Sequence, residues 1–249
     1  MGSSKLSGDL GGRSTGTDRF CGGVMRPNEA RYVGGILDGL PVDQLSPCLN
    51  IGSSTEEFRR QGQPHIHEFI FAPLERRGVE VIHSDLKSEA GVDIAGDIFD
   101  AAILGEIERR KPRSALCCNM FEHVKDPERL VSVLTELVPA GGYLIVTVPR
   151  SYPIHFDPID TGFRPSPGEL AEMFSAFEVE QSQVVTDTTY GEDLLRDLGA
   201  LGMAAHLLRS AAKFFMFWRG RAVWVAHFHR YLWLFRPYSV SCVLLRKLA

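Results

Sequence analysis

Two groups of polar side chains that can bind a ligand or move a proton follow apolar segments of the sequence. Asn119 to His123 follow Ala115–Cys118, and Tyr152 to Arg164 follow Tyr143–Val148. Between them, Asp126 predicts the start of a helix. Two strands joined by a crossover helix run parallel, and ligands bind outside their carboxyl ends. The sequence therefore predicts a functional site at this edge of an α/β sheet.

Four short motifs mark this region: a turn after a strand, an Asp-Pro helix start, a Gly-Gly turn and a Thr-Val-Pro strand end. They are Asn119-x-x-Glu122-His123-Val124, Asp126-Pro127, Pro139-Ala140-Gly141-Gly142 and Thr147-Val148-Pro149. With these motifs the sequence resembles class I S-adenosylmethionine-dependent methyltransferases over roughly residues 48–177. The resemblance implies a Rossmann-like, seven-stranded α/β sheet with helices on both faces, and S-adenosylmethionine as cofactor.

The first expected cofactor contact is the turn after the predicted strand Leu45–Ile51. The resembled family has a glycine-rich turn here, because a Cβ would block the close approach of backbone to ligand. This sequence has Gly52 followed by Ser53 and Ser54. The serines depart from the family pattern, although a small hydroxyl could bond the carboxylate of the cofactor.

Further cofactor contacts are expected from the turns after the next strands. Asp85 would bind both ribose hydroxyls, because a carboxylate accepts two hydrogen bonds. It lies 33 positions after Gly52, against about 20 in the dinucleotide fingerprint, so an inserted loop is predicted over 55–63. The resemblance implies that Asp97 accepts from the adenine amine and that Ile98 packs on the ring. Asn119 and Met120 complete the expected set.

Methylation of an alcohol needs a group that accepts the hydroxyl proton. His155 is the first candidate for this base, since it lies past the fifth strand beside two carboxylates, and His123 is the second. Expected substrate contacts in the same loop are Tyr152, Asp157, Asp160 and Arg164. Asn119 stands where metal-dependent relatives have a second glutamate. A metal through Glu122, His123 and His155 remains an alternative, and none is expected.

Composition excludes several classes of protein. The chain of 249 residues has a net charge of −4, and no base-reading motif indicates nucleic-acid binding. Five cysteines without disulfide-like or zinc-like spacing favour reduced thiols and a cytoplasmic location. No signal-peptide pattern is visible, and no apolar run reaches the roughly 18 residues of a spanning helix.

The predicted organisation has three parts: a flexible arm over 1–25, a cofactor-binding α/β core over 26–190, and a helical, basic and aromatic segment over 191–249 that includes the last strand. Residues 198–249 contain no Asp or Glu. One interpretation is a lobe whose apolar stripe covers the sheet, formed by Leu194, Leu198, Leu201, Leu208 and Phe215. The other is a surface for an anionic membrane or a lipid-linked substrate. A homodimer is a further possible assembly.

The sequence thus favours S-adenosylmethionine-dependent O-methylation of a sugar or another small molecule. The main alternative is a non-catalytic binding module that keeps the fold while its cofactor turn has degenerated. A nucleotide-dependent oxidoreductase is disfavoured, because no Gly-x-Gly-x-x-Gly follows the first strand.

Overall fold

The computed structural model of the chain describes residues 25–154, 159–214 and 228–249. Its centre is a seven-stranded sheet in the order β3-β2-β1-β4-β5-β7-β6. Strands β1 to β5 run parallel, and β7 pairs antiparallel with both β5 and β6. The strands are β1 Cys48–Ile51, β2 Val81–Asp85, β3 Ile94–Ala95, β4 Ser114–Cys118, β5 Tyr143–Ser151, β6 Phe177–Thr189 and β7 Pro237–Lys247.

Helices connect the strands and cover both faces of the sheet. They are α1 Pro27–Gly39, α2 Val42–Leu45, α3 Pro64–Ile66, α4 Ala72–Arg76, α5 Ala101–Arg109, α6 Pro127–Leu137, α7 Pro167–Glu172 and α8 Tyr190–Phe214. The described residues also form two π-helical turns, Phe58–Gly62 and His67–Phe71, and two 3₁₀ turns, Phe121–His123 and Arg230–Trp233.

The alternation of side chains along β5 divides the core into two layers. Leu144, Val146 and Val148 face the layer that contains α5, α6 and α7. Tyr143 and Ile145 face the layer formed with α1 and α4. Successive residues of a strand point to opposite faces, so a continuous apolar run is what a strand covered on both sides requires.

Three helices begin with side-chain caps, and the predicted helix start at Asp126 is confirmed. Asp100 and Asp126 accept hydrogen bonds from the backbone N–H groups of Ala102 and Arg129, as N-caps do. Ser166 begins a capping box with Glu169. The expected seven-stranded sheet with helices on both faces is present.

Three predictions about elements need correction. Residues 55–63 are not a plain inserted loop, because they include the π-helical turn Phe58–Gly62. The first strand begins at Cys48, since the helix Val42–Leu45 occupies the residues before it. The predicted apolar stripe does not cover the sheet. Leu194 is buried, whereas Leu201 and Leu208 are 89% and 72% exposed; Phe215 lies outside the described residues.

The physical reason for the last correction is Gly199. Its φ of +67° interrupts the helical geometry inside α8 and rotates the second half against the first. A stripe drawn through both halves at one helical spacing therefore does not stay on one face.

Candidate functional site

The turn after β1 lies against the residue that follows the end of β4. Gly52 has a φ of +68°, and a Cβ built on it would lie 3.5 Å from the Sδ atom of Met120. A residue with a side chain is strained at this φ, so the backbone favours glycine here, whereas the distance to Met120 is an ordinary van der Waals contact. The structure thus brings together two of the predicted cofactor residues.

The two serines and Asp85 form one hydrogen-bonded unit. The Ser53 N–H donates to the carbonyl of Ser84 (3.0 Å), and the Ser54 N–H donates to Oδ2 of Asp85 (2.7 Å). The other carboxylate oxygen of Asp85 accepts from the N–H of Lys87 (3.1 Å). A carboxylate has about four acceptor positions, so Asp85 keeps capacity for a ligand hydroxyl while it shapes the turn.

The side chain of Arg59 stabilises this turn through hydrogen bonds, and the sequence analysis did not identify this residue. Its guanidinium donates to the carbonyls of Ser53 (3.0 Å), Ser54 (2.6 Å) and Gly91 (2.8 Å), and the residue is buried. Burial lowers the pKa of Arg59 from its ordinary value. The loops after β1 and β2 are therefore held together by one side chain that no local pattern identifies.

The loop after β3 places its two predicted residues differently. The N–H of Gly96 donates to the carbonyl of Asp85 (2.9 Å), which sets the neighbouring Asp97 beside the end of β2. Asp97 is exposed, and its Oδ1 accepts from the N–H of Phe99 (2.9 Å). Ile98 is 5% exposed and packs into the core. Contacts of both residues with adenine stay a prediction.

A second feature missed from the sequence is Glu29 of α1, which holds Asn119 at the end of β4. Oε1 of Glu29 accepts from the amide nitrogen of Asn119 (2.8 Å) and from the hydroxyl of Thr147 (2.6 Å). Burial raises the pKa of Glu29 to about 7, against the lowering effect of these hydrogen bonds. Asn119 has a φ of +51°, and its buried Oδ1 has no hydrogen-bond partner among the described residues.

The 3₁₀ turn after β4 contains Glu122 and His123. The imidazole Nδ1 of His123 donates to the carbonyl of Ile159 (2.5 Å), and its Nε2 lies 3.8 Å from Oε1 of Glu122. Glu122 is fully buried, and burial raises the pKa of its carboxyl to about 8. The carbonyl of Glu122 accepts from the N–H of Thr161 (2.8 Å), so the loop after β5 lies directly on this turn.

The side chains predicted to contact the substrate, where the structure describes them, contact other residues of the protein. Arg164 donates to Oδ2 of Asp160 (2.6 Å), so these two side chains brace the loop that carries them. The ring of Tyr152 packs against that of Tyr238 at a tilt of 41°, with ring centroids 5.1 Å apart. His155 and Asp157, the first candidate base and its neighbour, lie outside the described residues.

The described residues give no support for a metal site, a disulfide or a membrane-spanning helix. Within them, no cluster of three or more His, Cys, Asp or Glu side chains could hold a metal ion, and Cys48, Cys117, Cys118 and Cys242 are free thiols. No described helix is long and apolar enough to cross a membrane. A surface cavity of about 550 Å³ between α6 and residues 173–176 has none of the candidate residues in its lining.

No family model matches the sequence, and no curated protein matches it. Solved structures do resemble it. A SAM-dependent methyltransferase from Archaeoglobus fulgidus is 14% identical, with 88% of this chain and 94% of that chain covered and a TM-score of 0.47. YjhP from E. coli is 12% identical, with 90% and 95% covered and a TM-score of 0.47. Coclaurine N-methyltransferase bound to N-methylheliamine and SAH is 15% identical, with 88% and 71% covered and a TM-score of 0.39.

These identities leave activity unassigned, and fold alone does not imply function. The strand order, the single reversed strand β7 and the helices on both faces are observed in the chain itself. On that architecture, the chain has the seven-stranded, Rossmann-like fold of class I methyltransferases.

Proposed function

We propose that this chain is an S-adenosylmethionine-dependent methyltransferase that methylates a hydroxyl group of a sugar or another small molecule. The observation that carries the proposal is the junction of three strand ends. Gly52 after β1 lies against Met120 after β4, and Ser54 is bonded to Asp85 at the end of β2. Ligands of open α/β sheets bind at this edge.

The residues of this edge fit the cofactor. The glycine turn leaves room where a Cβ would approach Met120, and the Asp85 carboxylate has acceptor capacity for ribose hydroxyls. The orphaned Oδ1 of Asn119 could accept a hydrogen bond from an N–H or O–H of the ligand. When bound, the cofactor would supply a methyl group on a sulfonium; the protein then has to orient the acceptor, exclude water and remove a proton.

The test is calorimetry of the full chain with S-adenosylmethionine and with S-adenosylhomocysteine. Wild-type protein should bind both, and Asp85→Asn should bind at least roughly tenfold more weakly, because a lost hydrogen bond to a charged group is worth about 1.5–3 kcal/mol. Asp43→Asn, an exposed aspartate on α2, is the matched control and should bind like the wild type.

A specific observation favours the second candidate, a non-catalytic binding module. The carbonyls of Ser53 and Ser54 are held by Arg59, and both oxygens of Asp85 accept backbone N–H groups, so the turn is satisfied from within. Absence of binding by the wild type at millimolar concentration of either compound would contradict the methyltransferase proposal and support this candidate.

A further inference from the structure

The carboxyl group of Glu122 occupies an unusual position for an ionisable side chain. The residue is 0% exposed, and neither Oε1 nor Oε2 has a hydrogen-bond partner among the described residues. Its backbone carbonyl, in contrast, accepts from both the N–H and the hydroxyl of Thr161. The backbone of Glu122 is therefore held by hydrogen bonds, whereas its carboxyl group is not. A buried polar group without a hydrogen-bond partner lowers the stability of the fold.

The groups around Glu122 come from four elements. They are His123 on the same turn, Asp160 and Arg164 on the loop after β5, Glu29 on α1, and Cys117 at the end of β4. Arg164, the nearby cation, already donates to Asp160, and Nδ1 of His123 donates to Ile159. Both oxygens of Glu122 therefore keep acceptor capacity that no described residue uses.

Glu122 lies on the turn that follows β4, at the sheet edge where ligands of open α/β sheets bind. Glu122 follows Asn119 and Met120 by two to three residues, and Met120 lies against the Gly52 turn. Glu29, which orients Asn119, is close enough to affect the charge of Glu122. The orphaned amide oxygen and the orphaned carboxyl therefore belong to one strand end.

We propose that Glu122 binds the hydroxyl group that is to be methylated and accepts its proton, an inference that rests on the proposed function. In this step the O–H bond breaks and its proton passes to the Glu122 carboxylate. The hydroxyl oxygen forms the new bond to the methyl carbon, and the sulfur–methyl bond breaks with its electron pair left on sulfur. Charge balances, since one sulfonium and one carboxylate become a thioether and a carboxylic acid.

The test compares wild type with Glu122→Gln, which keeps the shape and loses the proton acceptor. Methyl transfer is followed as S-adenosylhomocysteine release with a panel of methyl glycosides and catechol. Turnover should fall by about 10²–10⁴, the usual contribution of a positioned base, while cofactor affinity is unchanged. Wild-type kcat should rise as pH increases towards about 8 and then level, because Glu122 has to be ionised. The residual rate of the variant should lack that step.

A second test, which needs no methyl acceptor, measures how the stability of the protein depends on pH. The pKa of Glu122 is raised on folding from 4.5 to about 8, so the folded state holds a proton that the unfolded state releases. The contribution of Glu122 to stability is therefore lost as pH rises from about 4.5 to 8. Glu122→Gln should remove that part of the pH dependence and be more stable than wild type at pH 9, whereas exposed Glu128→Gln should follow the wild type.

The proposal is overturned if Glu122→Gln retains turnover within twofold, if its pH profile matches the wild type, or if the wild type methylates no panel member. These outcomes differ from failure of the proposed function, in which the wild type would not bind the cofactor at all.

A second inference comes from the outer face of α8. After the interruption at Gly199, one face of the helix packs inwards through Met203 and Leu207, and His206 contacts the hydroxyls of Tyr190 (3.1 Å) and Tyr231 (3.2 Å). The residues at positions i, i+3, i+7 and i+10 of the other face are all exposed. They are Leu201, Ala204, Leu208 and Ala211, which we call the α8 stripe.

The charge distribution indicates what could cover the α8 stripe. Eight of the 27 basic residues and none of the 31 acidic residues lie in 198–249, so residues 1–197, with 19 basic and 31 acidic residues, have a net charge of −12. On α8 itself, Arg209 is exposed next to Leu208 of the stripe. An exposed apolar helix face with a basic neighbour suits the interface of an anionic bilayer, where apolar burial and charge attraction act together.

We propose that the α8 stripe docks on a membrane that contains anionic lipid. In flotation assays, the full chain should bind vesicles of phosphatidylcholine with phosphatidylserine, more weakly at high salt, and should not bind phosphatidylcholine alone. The double variant Leu201→Glu, Leu208→Glu should lose at least tenfold in binding. Leu86→Glu is the matched control, since Leu86 is 73% exposed and lies outside the stripe.

Absence of flotation with anionic vesicles would overturn this inference, as would equal binding by the double variant. Self-association in analytical ultracentrifugation that the double variant abolishes, without vesicle binding, would instead assign the α8 stripe to a contact with a second copy of the chain.

Discussion

Asn119 presents its amide in one orientation because Glu29 accepts from the nitrogen end, while the buried oxygen end has no hydrogen-bond partner among the described residues. Glu29→Ala should therefore weaken cofactor binding, and it should destabilise the fold by about 1–3 kcal/mol, since Thr147 also loses its buried acceptor. Glu29→Gln keeps an acceptor oxygen and should retain most of the affinity. Calorimetry and urea unfolding measure the two effects.

Exposed Glu68→Ala is the control and should change stability by no more than about 0.5 kcal/mol. If Glu29→Ala bound S-adenosylhomocysteine as tightly as the wild type, Asn119 would not depend on Glu29 for its function. Equal losses for the Ala and Gln variants would show that charge, rather than the acceptor geometry, is what matters.

The residues of the candidate site that the sequence predicts are those marked by a local pattern. Gly52, the two serines, Asp85 and Met120 follow strand ends, and the structure connects them through the Ser54–Asp85 hydrogen bond and the Gly52–Met120 contact. Glu29 and Arg59 carry no such mark. Glu29 reaches its partners across 90 and 118 positions of sequence, and only the packing of α1 on the sheet makes the contact.

At the scale of elements, the starts of helices have local causes. The caps Asp100, Asp126 and Ser166 satisfy backbone N–H groups within their own helices, so the sequence around each one determines the helix start. β6 runs to Thr189, because its pairing with β7 continues there. This pairing is a tertiary contact, and the polar, largely exposed sequence of β6 does not predict it.

α8 shows the limit of periodicity as a guide. Its leucines recur at helical spacing on both sides of Gly199, but the positive φ of that glycine changes the direction in which the second half faces. Whether a glycine in a helical pattern is tolerated or interrupts the helix depends on what each half packs against. Here the second half packs through His206 and its tyrosine partners, and the leucine face is left outside.

For the whole molecule, strong contacts connect the predicted cofactor-binding core with the predicted C-terminal segment. β7 lies between β5 and β6, so the last strand of the chain is an interior strand of the sheet. Arg26, at the start of α1, donates to Asp187 at the end of β6 and to both carboxylate oxygens of Asp193 in α8. The guanidinium also lies 4.5 Å from the ring centroid of Tyr238 in β7. These contacts predict that the described elements unfold together.

Asp193→Asn tests this coupling. The side chains of Arg26 and Asp193 are 13% and 4% exposed, and removing one charge of a buried pair typically costs about 3–5 kcal/mol, so the urea midpoint should fall markedly. Asp197→Asn alters a neighbouring pair whose side chains are 59% and 38% exposed, and it should cost less than about 1 kcal/mol. Tryptophan fluorescence and far-ultraviolet circular dichroism should report one transition with an unchanged m-value in both variants. A separate early transition in Asp193→Asn would show instead that α8 and the segment after it unfold independently of the sheet.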